Sequence, residues 1–186
     1  MKKVNISLPR LSDLSFQIKL EGNWEQSVNL VNSFGKDIEH GYSLAIDKFS
    51  KDLLRIVKKS ITLGIPPPGG GVVWEPLSPK TIKRYGQHPI YNLTGLYART
   101  IGLYRYKSRV LVGLPSGIRR SSQKRLTLNQ LAKILEFGSS SGIPPRPVWA
   151  PSLKAVGGID KLKKSILTSI RKELSKHGVR PNQVKW

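Results

Sequence analysis

Cysteine is absent from this sequence, which removes disulfides, thiolate metal sites and a cysteine nucleophile together. Histidine is scarce. His40, His88 and His177 lie far apart with no HxH or HxxxH spacing, so no imidazole metal site is expected. No apolar run approaches the ~20 residues that a membrane-spanning helix needs. The opening MKKVNISLPRLSDL carries two lysines but no apolar stretch behind them, which does not read as a signal peptide. These absences point to a soluble intracellular protein. Acidic side chains are also few: 11 Asp+Glu stand against 32 Lys+Arg, a net charge of +21.

What is present suffices for a folded chain. A length of 186 residues with 38% apolar side chains predicts one domain with a real hydrophobic core. The charge is uneven. Residues 1–93 hold 13 basic and 8 acidic side chains, whereas residues 94–186 hold 19 and 3. A single-sign surface of that size faces something negative or is screened by salt. DNA, RNA, an anionic membrane and an acidic protein surface all qualify at this point.

Hydropathy periods divide the chain. Leu14, Phe16, Ile18 and Leu20 alternate as in a half-buried strand. Asn23 reads as the N-cap of a helix whose first stripe is Trp24, Val28, Leu30 and Val31, with Gly35 breaking or kinking it. A longer helix is predicted over 36–62. Its stripe is Ile38, Tyr42, Ala45, Ile46, Phe49, Leu53, Ile56, Val57 and Ile61, and Gly64 is its C-cap. Residues 65–73, IPPPGGGVV, read as an exposed loop within the domain. Ser78 as N-cap with Pro79 at the first helical position starts a short helix near 79–85. A second short helix is expected from Pro89 to about Thr100, then a β-hairpin over 101–107 and 109–114. Residues 115–126 are polar, basic and aperiodic, a flexible loop. Thr127 starts a helix that Gly138 stops, and Val148-Trp149 reads as a short extended piece. The last helix begins at Ile159 or Asp160 and carries Leu162, Ile166, Ile170 and Leu174. The expected organisation is a single domain over 1–186, with a flexible segment at 1–13, long loops at 65–73 and 115–126, and a basic tail at 178–186.

Catalytic patterns are wanting. The second half offers only Glu136, Asp160 and Glu173 as carboxylates, all at helix positions, and no Ser/His/Asp set is apparent. Gly69-Gly70-Gly71 lacks the GxxxxGK[ST] pattern of a phosphate loop. No enzyme activity and no cofactor are expected. Arg119, Arg120, Lys124 and Arg125 place four cations in seven residues, able to neutralise phosphates or to meet a protein partner. The aromatics or recognition helix of a sequence reader do not accompany them. Lys161, Lys163 and Lys164 lie on the polar face of the last helix, a further candidate contact surface or simply its solvated side.

Three ordered segments carry a resemblance. The first is Trp74-Glu75-Pro76-Leu77-Ser78-Pro79-Lys80-Thr81. The second is Pro89-Ile90-Tyr91-Asn92-Leu93-Thr94-Gly95-Leu96-Tyr97. The third is Leu131 to Glu136-Phe137-Gly138, followed by Pro144-Pro145-Arg146-Pro147-Val148-Trp149. This order resembles the tail-completion (virion morphogenesis, minor tail) proteins of tailed bacteriophages. Their pattern is W-x-P-L-S-P-x-T, then P-L-x-D-T-G-x-L, then H/E-F-G and A/P-R-P-F. The resemblance spans about residues 24–176. Leu93-Thr94-Gly95 stands where the family has Asp-Thr-Gly, and Asn92 is left to cap the short helix. Leu96-Tyr97 and Val148-Trp149 also depart from the pattern.

The resemblance implies an α+β fold, with a small antiparallel sheet, long helices packed against it and extended loops for subunit contacts. It implies a non-enzymatic structural subunit of the phage neck or upper tail, assembled in the host cytoplasm into a hexameric ring. That ring would join the tail to the head-side connector. Its partners would be copies of itself, connector or stopper proteins, tail terminator or tail tube proteins and, transiently, genomic DNA, with no membrane. Loops 65–73 and 115–126 would serve as arms onto neighbours. Within the motifs, Trp74 is expected to anchor the core, Ser78 to cap its helix and Gly95 to allow a tight turn. Phe137 is expected to bury its ring before a Gly138 cap, and Arg146, between Pro145 and Pro147, to pair with Glu136. The rival reading is a basic nucleic-acid-binding protein acting through the second half.

Overall fold

The computed structural model describes residues 4–6, 16–18, 24–91, 94–106, 109–115 and 127–176. The order is β1 (Val4–Ile6), β2 (Phe16–Ile18), α1 (Trp24–Leu63), α2 (Pro79–Tyr85), α3 (Leu96–Thr100), β3 (Gly102–Tyr106), β4 (Arg109–Gly113), α4 (Leu128–Phe137), α5 (Trp149–Ala155) and α6 (Gly158–Ser175). The fold is α+β: helix dominates, and the strands form two antiparallel pairs, β1 with β2 and β3 with β4. Contacts divide the chain into two compact units, a finer organisation than the single domain expected. Residues 1–44 and 165–186 form unit 1, and residues 45–164 form unit 2.

In unit 1, Val4 faces Ile18 and Ile6 faces Phe16 across the β1–β2 ladder. Within the 1–13 segment expected to be flexible, residues 4–6 form β1, and the rest of it lies outside the described residues. Gly35 does not break α1, which runs unbroken from Trp24 to Leu63. An interior glycine costs about 1 kcal/mol relative to alanine, too little to interrupt a helix with a buried stripe. Ile38 packs with Ile170 and Leu174, flanked by Phe34 and Ile166. Gly41 permits this contact, because a Cβ there would lie 2.9 Å from the Ile170 backbone N and Cα. Tyr42, expected in the buried stripe, is exposed.

In unit 2, Val57 and Ile61 of α1 meet Trp74, Tyr91, Tyr97, Ile101, Leu128 and Val148 in the core. Gly64 adopts φ 67°, and a Cβ there would meet Pro89 and Ile90 at 2.8 Å, so the turn after α1 brings the 89–91 segment against it. The hairpin pairs Gly102 with Gly113 and Tyr104 with Leu111. Asp47 of α1 binds Lys51 at 2.9 Å and also Arg105 of β3. The Lys51 hydrogen bond is the largest influence holding the Asp47 carboxyl below its ordinary pKa, with Arg105 adding to it against burial.

Loop 65–73 is not a free arm. Pro67 and Gly70 are buried, and a Cβ on Gly70 would lie 2.6 Å from the Pro151 side chain of α5. Two further boundaries differ from expectation. Residues 89–95 are not helical where described, so the short helix is only Leu96–Thr100, capped by Gly95 at φ 68°. Trp149 opens α5 rather than extending a strand.

Candidate functional site

The three ordered segments converge in unit 2. Ser78 is extended (φ −63°, ψ 149°) and its hydroxyl accepts the Thr81 N–H at 3.2 Å, with Pro79 next in line. That start gives α2 its direction and brings the preceding Trp74-Glu75-Pro76 run alongside residues 146–147. The Trp74 indole Nε1 donates to the Pro147 carbonyl at 3.0 Å. The Arg146 Nε donates to the Glu75 carbonyl and its Nη2 to the Pro76 carbonyl, both at 3.0 Å. The Arg146 main-chain N–H donates to the Leu135 carbonyl at 2.7 Å, and the Tyr91 hydroxyl donates to the Arg146 carbonyl. Proline on either side leaves Arg146 with the only main-chain N–H in the 145–147 run, and that N–H is used.

Three rings back this lattice. Trp74 and Tyr91 lie 5.3 Å apart between centroids and Tyr91 and Tyr97 5.4 Å, each pair tilted by 48°. Such tilted contacts add to the burial of the rings themselves. Burial pushes both phenols well above the ordinary tyrosine range. The Glu136 charge adds to it in each case, and Tyr97 adds to it for Tyr91. Both rings therefore stay neutral and act as hydrogen-bonding core.

Two expected roles are corrected here. Arg146 does not pair with Glu136. The Glu136 carboxylate instead accepts the N–H groups of Val148 at 2.7 Å and Trp149 at 3.1 Å, at the start of α5. A helix start leaves unsatisfied N–H groups and a partial positive charge, so a carboxylate is better spent there than on Arg146, whose fork fits two carbonyls. Burial draws the Arg146 pKa down, opposed by the Glu75 carboxylate. Phe137 does not bury its ring: at 79% exposure it points outward from the last position of α4. Gly138 follows as the cap with φ 78°.

The remaining motif residues are placed as follows. Leu77 and Leu96 are half-buried beside the lattice, and Thr94 accepts the Leu96 N–H at 3.4 Å through its hydroxyl. Asn92, expected to cap the short helix, lies outside the described residues, and Gly95 occupies the cap position. Arg119, Arg120, Lys124 and Arg125 also lie outside the described residues, as does the tail at 178–186. Lys161, Lys163 and Lys164 are exposed on α6, Lys163 standing 3.9 Å from Asp160. Among the described residues no hydrogen bond joins Lys161 or Lys163 to the motif lattice.

Sequence reasoning passed over His88 and the helical start at Trp149. His88 lines a groove beside the lattice, with Nδ1 2.8 Å from the Pro89 carbonyl. For α5 a signal existed, since Pro151 is tolerated in a first helical turn. Among the described residues no group of three or more His, Asp or Glu is placed to hold a metal ion, and no helix is long and apolar enough to cross a membrane. No protein-family model, curated protein or solved structure matches this chain.

Proposed function

We propose that this chain is a structural subunit of the neck or upper tail of a tailed phage, forming a ring that joins the tail to the head-side connector. One observation carries the reading. The motif segments, taken in the order that resembles tail-completion proteins, bond to one another: Trp74 to Pro147, Arg146 to Glu75 and Pro76, Tyr91 to Arg146. A motif order that is also a set of mutual contacts supports a resemblance of architecture rather than a coincidence of short strings. The subunit acts by docking. Its basic surface and outward-facing apolar residues such as Phe137 and Val73 meet neighbouring rings, with copies of itself beside it.

The test is a reconstruction of the particle. Ring density fitted by unit 2 between connector and tail is the expected result. A neck and tail fully accounted for by other chains overturns the proposal. A second reading, nucleic-acid binding, draws on the exposed Lys161, Lys163 and Lys164 of α6. It predicts duplex-DNA affinity with a steep salt slope, lost on Arg119/Arg120/Lys124/Arg125→Ala, where the joining subunit loses assembly instead.

A further inference from the structure

Beside the motif lattice, unit 2 holds a groove of about 270 Å³ between α2, residues 88–91 and 94–97, α4 and residues 142–146. Its apolar walls include Leu77, Ile90, Leu96, Leu131, Leu135 and Ile143. Small-molecule sites run to roughly 300–1,000 Å³, so this groove suits one or two apolar side chains rather than a whole cofactor. Ile143 is exposed on it. Phe137, also exposed, ends α4 one residue before Gly138, whose Cβ position lies 2.9 Å from the Ile143 carbonyl.

The exposed charged side chains on the two helices that line this groove are all basic. Helix α2 and its N-cap Ser78 line it with Ser78, Thr81 and Tyr85, and the helix exposes Lys80, Lys83 and Arg84. The Arg84 guanidinium carbon lies 5.2 Å from the centroid of the Tyr85 ring. Helix α4 lines the groove with Leu131 and Leu135 and exposes Lys133. Arg146, 5% exposed, is also a lining residue, and its Nε and Nη2 donate only to neutral carbonyls. No ion pair joins Arg146 to a carboxylate among the described residues. Glu136, the acid expected there, is committed to α5. His88 adds an unused polar atom. Its Nδ1 must carry the hydrogen to bond the Pro89 carbonyl, which leaves a buried Nε2 without a partner.

We infer that this groove docks an acidic segment of a partner protein. One or two apolar side chains of that segment enter beside Leu131 and Ile143, its Asp or Glu carboxylates meet Lys80, Lys83, Arg84 and Arg146, and a main-chain N–H reaches His88 Nε2. A buried cation whose hydrogen bonds go only to neutral carbonyls gains from a carboxylate beyond the nearby Glu75. Apolar walls flanked by exposed cations on both lining helices select an amphipathic ligand of the opposite sign. Charge disfavours two rival occupants. Of this chain's own stretches outside the described residues, 116–126 and 177–186 contain no acid, and 7–15 and 19–23 contain one each, Asp13 and Glu21, balanced by Arg10 and Lys19. A second copy carries +21 itself. The inference rests on the joining-subunit reading for the kind of partner, a neighbouring structural protein.

Selection of a random peptide library on the immobilised full-length chain, followed by titration of the enriched peptides, tests it. The expected peptides place Asp or Glu on either side of Leu, Ile or Phe. Arg84→Glu and Ile143→Asp should each weaken them about tenfold, with far-UV circular dichroism and Tm unchanged. Leu131→Glu should abolish binding. Should Leu131→Glu fail to fold, the two exposed variants decide. Failure to enrich any peptide overturns the inference, as do peptides without acids or equal binding to the Ile143→Asp chain. Self-association in sedimentation that Ile143→Asp removes also overturns it, by giving the groove to a second copy. A particle without this chain in its neck, with the peptide result intact, overturns only the joining-subunit reading.

Discussion

The Glu136 carboxylate accepts the Val148 N–H at 2.7 Å from twelve residues away in the chain, and the adjacent Trp149 N–H at 3.1 Å. This contact ties the end of α4 to the start of α5, because Val148 itself has no side-chain oxygen to cap the helix it precedes. The same carboxylate is thereby withheld from Arg146, which turns to the carbonyls of Glu75 and Pro76. One pairing decision thus shapes both the core and the charge beside the groove.

Glu136→Ala removes a charged acceptor from part-buried N–H groups. Hydrogen bonds to charged groups contribute ~1.5–3 kcal/mol each, so a loss of about 3 kcal/mol is expected in urea unfolding with an unchanged m-value. Glu136→Gln keeps an acceptor oxygen and should lose about 1 kcal/mol. Equal stability of the alanine variant and wild type would mean that Glu136 does not cap α5.

Arg146→Lys preserves the charge but not the fork. An ammonium cannot hold two carbonyls in the geometry of a guanidinium, and a loss of about 1–2 kcal/mol is expected. Arg146→Met should cost more than Arg146→Lys. The reverse order would mean that burying the cation outweighs its two hydrogen bonds.

Gly41→Ala separates local from tertiary effects by sign. In an exposed helix interior the change should stabilise by about 0.5–1 kcal/mol. Against the Ile170 backbone at 2.9 Å it overpacks instead, and a destabilisation of about 1–3 kcal/mol is expected. Thermal unfolding reads the sign directly.

Glu173 is held below the ordinary glutamate pKa of 4.5, first by its hydrogen bond from Lys176, then by the charges of Lys176, His40 and Lys172, against the opposing effect of burial. A depressed folded value means that its contribution is complete above pH 4.5 and is lost as pH falls through the folded value. Lys176→Met should therefore raise the Glu173 value in a carboxyl-carbon NMR titration and flatten the stability profile below pH 4.5. An unmoved titration would detach Lys176 from it.

On the proposed ring reading, salt should act on assembly before it acts on the fold. The screening length falls from ~10 Å at 0.1 M to ~3 Å at 1 M, which weakens contacts made by exposed cations but hardly touches a core of Val57, Ile61 and Ile101. Sedimentation and circular dichroism across one salt series should show dissociation with secondary structure intact. Simultaneous loss of both would contradict it.

Short-range chemistry explains what could be read from the chain. Ser78-Pro79 and Thr127 with Gln130 cap α2 and α4 where expected, because a cap joins residues three apart. The hairpin at 102–113 and the α6 positions Ile166, Ile170 and Leu174 follow from periods of two and about four. At the candidate site, the positions of Trp74, Glu136 and Arg146 in the motif order were readable, but not their bonding partners. A carboxylate with two N–H groups and a guanidinium in reach has competing partners, and only three-dimensional placement selects among them.

The sequence by itself determined the starts of α1, α2 and α4 and the excess of positive charge, which follow from composition and from neighbours a few residues apart, whereas the α+β class was an implication of the resemblance. Tertiary structure decided the continuity of α1 through Gly35, the burial of Pro67 and Gly70, the exposure of Phe137 and the partners of Arg146. Those depend on atoms brought together from tens of residues away, where burial and hydrogen-bond geometry outweigh a local cost of about 1 kcal/mol.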